Sequence, residues 1–241
     1  MKIPYGITNV SVRLTVFFNT NMLNSYKLLI LPMNLRNLLD DDIDVAALQT
    51  IPNFGTIYTK PVVGISRDGI INYARTTHVT RPEEFEIIPG AAEAVAEIRK
   101  KGYRIIILSN QYGISEWRMT PIEVDMVNQR MLELFGEAGC PSIDAMYYST
   151  SRMKEDMFAL PNIGMFHRAE REHPVKFKEG WFVGDKISDL KAAENIRSKP
   201  VLIKTGEWEE TLKKLGTFAN KDLRKRTQIF DSLMDFANSL S

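Results

Sequence analysis

The stretch Lys60–Tyr73, KPVVGISRDGIINY, decides how the rest of the chain is read. Its first half, Pro61 to Ile65, is continuously apolar, the pattern of a strand covered on both faces. Ser66-Arg67-Asp68-Gly69 then makes a polar turn at the strand's carboxyl end. Working outward, the same kind of short apolar run recurs in YRIIILSN (103–110), IDAMYYS (143–149), GWFVGD (180–185) and PVLIKTG (200–206). Amphipathic stretches separate these runs. PGAAEAVAEIRKKG predicts a helix starting near Pro89 and ending at Gly102, with Ala91, Ala94, Val95 and Ile98 as its inward stripe. The next helix opens with Thr120 as N-cap, Pro121 in the first helical position and Glu123 completing a capping box. In it, Val124, Val127, Met131, Leu134 and Phe135 recur at helical spacing. A third helix follows Asp189 through LKAAENI, and TQIFDSLMDFANSL predicts a last short strand and a closing helix. Strand–helix alternation of this kind predicts a doubly wound, mostly parallel α/β sheet over residues 60–241.

Ligands of such a sheet bind at the carboxyl ends of the strands, near the switch point. Ser66, Arg67 and Asp68 end the first strand, Ser109, Asn110 and Gln111 the second, and Gly184, Asp185 and Asp189 follow the fourth. Hydroxyls, an amide and carboxylates converging there suit a phosphate and a divalent cation. Helix capping and turn formation explain any one of these residues equally well.

The chain has 241 residues, 44% of them hydrophobic, enough for one large core with or without an appendage. A formal charge of +1 argues against a broad field for nucleic acid or anionic membrane. The single cysteine, Cys140, excludes an internal disulfide and any cysteine-based zinc cluster. No apolar run is long enough to span a bilayer. Residues 1–59 read as an N-terminal arm. Met1–Leu39 contains no Asp or Glu but carries Lys2, Arg13, Lys27 and Arg36, and acidity arrives at LDDDIDV, 39–45. This composition resembles an organelle transit peptide, and an ordinary arm lacking acids has the same composition. The mitochondrial matrix is therefore favoured over the cytoplasm as the expected location.

SRDGIINY, RPEEFEIIPGAAEAVAEIRKKGYRIIILSNQYGI and WFVGDKISDLKAAENI together resemble the haloacid dehalogenase (HAD) superfamily, in its histidinol-phosphate and heptose-bisphosphate phosphatase branch. The resemblance runs from about Lys60 to the C-terminus. It implies a Rossmann-like sheet with little or no cap domain. It also implies an aspartate nucleophile that forms an aspartyl-phosphate, a second aspartate as general acid/base, a phosphate-binding hydroxyl and lysine, and Mg²⁺. Carried over by motif, Asp68 is the acid/base, Ser109 with Asn110 the phosphate-binding pair, and Asp185 and Asp189 the metal-side acids. The nucleophile position, however, is Ser66, and the lysine position, in FALPNIGM, is Leu160. The family's zinc-binding loop aligns with YYSTSRMKEDMF, which keeps no ligand, and an arginine of the second motif appears as Glu116.

These departures lead to the expectation of a degenerate, non-catalytic phosphatase fold kept as a structural or assembly component of a larger complex, such as a mitochondrial ribonucleoprotein. No cofactor is expected beyond weak Mg²⁺, and no zinc. Glu116 is expected to repel a phosphate. Protein partners would bind the arm through Val16, Phe17, Phe18, Met22 and Leu23. RNA would be a further partner within such an assembly, through Lys221, Arg224, Lys225 and Arg226 or not at all if these form a solvated helix face. The alternatives are a Mg²⁺-dependent phosphatase acting on a small sugar or nucleotide phosphate, and a module that binds a phosphorylated ligand without hydrolysing it.

Overall fold

The structure is a computed structural model that describes residues 60–140, 142–153 and 155–241. The arm expected over residues 1–59, with the contact residues named for it, lies outside the described residues. Six strands form one parallel sheet in the order β3-β2-β1-β4-β5-β6. They are β1 (Lys60–Ile65), β2 (Arg104–Asn110), β3 (Ala145–Ser149), β4 (Val175–Gly184), β5 (Lys199–Ile203) and β6 (Gln228–Phe230). The helices are α1 (Ala91–Lys100), α2 (Pro121–Glu137), α3 (Gly164–Glu172), α4 (Ile187–Asn195), α5 (Trp208–Leu215), α6 (Lys221–Arg226) and α7 (Leu233–Ser239). No cap domain is inserted among the described residues.

Residues on the two faces alternate as a strand's two-residue period requires, except where a register shift between β1 and β4 leaves Val175, Phe177 and Phe182 on one side. Val63, Ile65, Ile105, Ile107, Val183, Val201 and Ile203 face α1, α2 and α7. Val62, Ile106, Leu108 and Phe182 face α3 and α4, and Leu202 packs with Leu215 and Leu223. Because both faces are covered, the strands read as unbroken apolar runs. The predicted stripe of α1 is buried in full. In α2, Val124, Val127, Met131 and Phe135 are buried and Leu134 only partly so. The expected capping box is present: the Glu123 N–H donates to the Thr120 hydroxyl, and the Glu123 carboxylate accepts from the Thr120 N–H. Thr120→Ala is expected to cost about 1 kcal/mol, read as a lowered chemical-denaturation midpoint with an unchanged m-value.

α3, α5 and α6 are not announced by the strand pattern. α3 has only Met165, Phe166 and Ala169 to bury in nine residues, too few for a readable stripe. The topology decides where a site can form. β1 is central, with β2 on one side and β4 on the other, so the three polar strand ends emerge side by side at the switch point.

Candidate active site

Ser66 continues β1 by one residue, its N–H donating to Val183 O at 2.9 Å. The residue is 7% exposed. No side chain among the described residues hydrogen-bonds to its hydroxyl, so nothing there activates it as a nucleophile. The chain then turns: Ile71 N–H returns to Arg67 O at 2.8 Å and Gly69 N–H to Asn72 O at 2.8 Å. This turn aims Asp68 back toward β2.

Asp68 is the most heavily contacted polar group at this edge. Its carboxylate accepts from Arg67 Nη2 at 3.0 and 3.1 Å, Asn72 Nδ2 at 3.0 Å, Gln111 Nε2 at 2.7 Å and the Ser109 hydroxyl at 3.3 Å. Burial alone would push this carboxyl up. The Arg67 charge and the bonds from Asn72, Arg67 and Gln111 outweigh burial and hold it below the usual carboxylate range. Asp68 is therefore an anion at neutral pH. Arg67 is itself buried, and its Nη1 donates to Asn128 Oδ1 of α2 at 2.8 Å. The expectations from sequence gave no structural role to Arg67, Asn72 or Asn128. A signal for Asn128 existed: it lies next to Val127 within the buried stripe of α2, a polar residue at a core position.

Ser109 stands where the motif predicts, beside Asp68. Asn110 does not face a phosphate with free polar groups. Its Oδ1 accepts from Leu160 N–H at 3.0 Å and its Nδ2 donates to Leu160 O at 3.3 Å. The Asn110 side-chain amide thus pins the main chain of residue 160. Leu160, only 8% exposed, packs its side chain in the cluster of Met165, Phe166 and Phe182. Glu116 also departs from expectation. It is compensated by Arg118 Nε at 3.2 Å, His78 Nε2 at 3.8 Å and an ion pair with Arg152. With two arginines and the His78 imidazole around it, it is not a bare charge facing a phosphate.

The acid pair lies across the Asp68–Gly69 turn. Asp185 is fully buried, with Oδ2 accepting from Glu207 N–H at 2.8 Å. A Cβ at Gly69 or Gly206 would come within 2.3 or 2.1 Å of that oxygen, so both glycines are needed for this close approach. Asp189 accepts from Lys186 N–H at 3.3 Å, which caps α4. Burial and the Asp189 charge push Asp185 above the usual carboxylate range. Burial does the same for Asp189, only partly offset by Lys186. Lys186, which bonds Glu207 at 3.2 Å, is pulled up by these carboxylates despite its burial. Sequence reading passed over it as a cation serving the pair.

Among the described residues, no group of three or more His, Cys, Asp and Glu is placed to hold a metal ion. One observation nonetheless fits a hard cation. Asp185 Oδ1 is buried without a hydrogen-bond partner, an oxygen whose desolvation is uncompensated in the protein alone. The raised carboxyls make the metal-free pair favour the folded state most at low pH. That contribution is lost as pH rises through their folded values. Stability of the metal-free protein should thus gain from Asp185→Asn at about pH 8 and much less at about pH 5. Mg²⁺ should raise the unfolding temperature of the unsubstituted chain at the higher pH only. Melting curves at the two pH values, with and without Mg²⁺, check both expectations.

Comparison with known proteins decides the family. The family described as polynucleotide kinase 3 phosphatase matches residues 68–199. The D-glycero-beta-D-manno-heptose-1,7-bisphosphate 7-phosphatase of Pseudomonas putida is 30% identical over 176 residues, covering 73% of this chain and 97% of the relative. The chain belongs to the HAD-like phosphatases. The heptose-bisphosphate 7-phosphatase of Neisseria meningitidis serogroup A is 31% identical over 181 residues, covering 72% of this chain and 90% of the relative.

Among solved structures, the heptose-bisphosphate phosphatase of B. bronchiseptica, complexed with magnesium and phosphate, shares the fold at TM-score 0.67 and 22% identity. It covers 74% of this chain and 96% of that one. The phosphatase from Burkholderia Thailandensis aligns at TM-score 0.56 and 27% identity, over 74% and 97% of the two chains. These likenesses bear out the HAD-type sheet. They also weigh toward the phosphatase alternative and away from the expectation of a non-catalytic assembly component.

Proposed function

We propose that this HAD-like phosphatase hydrolyses the phosphate monoester of a small sugar by direct attack of water, without a covalent phosphoenzyme, and slowly. The observation that carries this reading is Asp68. A carboxylate held anionic by Arg67, Asn72 and Gln111 lies at the switch point, while Ser66, one residue beyond β1, has a hydroxyl and no base. The sugar class follows from the named substrates of the relatives.

In this mechanism Asp68 accepts a proton from water as its oxygen attacks phosphorus. The phosphorus–ester oxygen bond breaks, and Asp68 returns the proton to the departing alkoxide. Alcohol and inorganic phosphate are the products, so atoms and charge balance. Gln111 and Ser109 keep the carboxylate directed at the reacting group. Asp185, whose Oδ1 has no hydrogen-bond partner among the described residues, would hold Mg²⁺, which would supply positive charge for the phosphoryl oxygens. Slowness follows from two positions. Ser66 cannot form an aspartyl-phosphate, and Leu160 brings no cation to the phosphoryl group.

The test is Mg²⁺-dependent phosphate release by the purified full chain, from sugar phosphates and an aryl phosphate, with a 3′-phosphorylated oligonucleotide as comparator. Turnover that disappears in Asp68→Asn and survives Ser66→Ala is expected. Loss of turnover in Ser66→Ala would overturn the non-covalent route. Absence of turnover in the unsubstituted chain would favour a second reading, a phosphatase fold retained for binding or assembly. The unassisted Ser66 hydroxyl and the buried Leu160 are the observations on its side.

A further inference from the structure

The segment Thr150–Phe158, between β3 and α3, crosses the cleft edge with no buried side chain among its described residues. Its ends are pinned next to Asp68's partners. Gln111 N–H donates to Ser149 O at 2.7 Å on one side, and Asn110 holds Leu160 on the other. Up to Glu155 its hydrogen bonds are local, such as that from Met153 N–H to the Ser151 hydroxyl, while its far end is tied to the start of α3 through Asn162 Nδ2 on Asp156 O at 2.8 Å and Gly164 N–H on Met157 O at 2.9 Å. Phe158 packs against the core at the loop's end, but the exposed Met153 and Met157 give the rest of the loop no hydrophobic anchor over the cleft.

One side chain reaches across. Arg152 pairs with Glu116, in the loop between β2 and α2, and places its guanidinium 4.8 Å from the centre of the Tyr112 ring. Glu116 in turn meets Arg118 and His78, and His78 packs edge-on against the same Tyr112 ring at 5.0 Å. A single carboxylate thus joins the loop to two other segments of the cleft rim. Sequence reading treats the ligand-free loop and Glu116 as two separate departures from the family pattern. The structure puts them in contact.

We propose that Glu116 is a positioning residue: through Arg152 it clasps Thr150–Phe158 across the cleft mouth and limits the size of leaving group that reaches Asp68. The second half of this statement rests on the monoesterase reading; the clasp itself does not. An ion pair at a partly exposed rim is sensitive to ionic strength. Because the far end of the loop stays tied to α3, losing the pair should release chiefly the part around Arg152.

Amide hydrogen exchange on the full chain tests the clasp. Glu116→Ala and Arg152→Ala should each speed exchange around residue 152 several-fold. The double variant should be no faster than either single one, because both remove the same contact. High salt should speed the unsubstituted loop and leave Glu116→Ala unaffected. Unchanged exchange in Glu116→Ala, or additive effects in the double variant, would overturn the proposal. For specificity, KM for a bulky aryl phosphate should fall several-fold in Glu116→Ala, with kcat unchanged and the KM of a small phosphate ester unmoved. Equal KM changes for both esters would defeat the size-limiting role. If no variant turns over any ester, the monoesterase reading and the size-limiting role fall together, while the exchange data still decide the clasp.

Discussion

Ser66→Asp is expected to raise the rate of phosphate-ester hydrolysis by at least about 10³-fold, part of the roughly 10⁶ that loss of a covalent nucleophile costs elsewhere. The geometry for the gain is in place. Residue 66 sits at the end of the central strand, its N–H on Val183 O, with Asp68 two residues on to act as acid and base. A carboxylate at 66 would also add charge close to Asp68 and Asp185. Without metal the variant should therefore melt lower than the unsubstituted chain, and Mg²⁺ should restore it. Rate assays and melting curves on one preparation read both effects. A variant that Mg²⁺ stabilises but that gains no rate would locate the deficit at Leu160. Correcting that position carries its own cost, because Leu160 is buried against Met165 and Phe166. Leu160→Lys places a charge among apolar side chains and should destabilise unless the ammonium finds the phosphate.

Asp68→Asn is expected to remove turnover by about 10²–10⁴-fold and to destabilise the fold as well. The carboxylate is the ion-pair partner of Arg67, which is 1% exposed and, among the described residues, has only Asn128 as a further side-chain partner. Removing one member of a fully buried pair costs about 3–5 kcal/mol, and a cost of about 2–3 kcal/mol is expected where one partner keeps some exposure, as Asp68 does. Acid should reproduce part of this. The folded-state pKa of Asp68 is depressed, so its contribution to stability is present above the unfolded value of 3.8 and is lost as pH falls through the lower folded value. Denaturation midpoints of the two proteins should therefore approach each other in strong acid and differ most near neutrality. A neutral-pH midpoint equal to that of the unsubstituted chain would show that Asn128 alone suffices for Arg67.

Much of the fold was legible in the chain. A parallel sheet covered on both faces demands continuous apolar strands, and β1, β2, β4 and β5 carry them as VVGI, RIIILSN, WFVG and PVLI. Helix α2 announces itself through chemistry that acts within four residues, the Thr120–Glu123 box around Pro121. Short helices such as α3 bury too few side chains to leave a period. They form because the sheet offers them a surface, which is a tertiary cause.

The site divides in the same way. Residue identity alone established that position 66 offers a hydroxyl and position 160 an apolar side chain, because ionisation and nucleophilicity belong to the functional group. What those groups meet depends on contacts distant in sequence. Arg67 reaches Asn128, 61 positions away. Asn110 closes on Leu160, 50 away, and Glu116 joins Arg152, 36 away. Folding gave the Asn110 amide a main-chain partner at Leu160 and set Arg118, Arg152 and His78 around the Glu116 carboxylate. The charge each side chain carries is covalent and local, whereas the partner that neutralises it is chosen by the packing of the whole sheet.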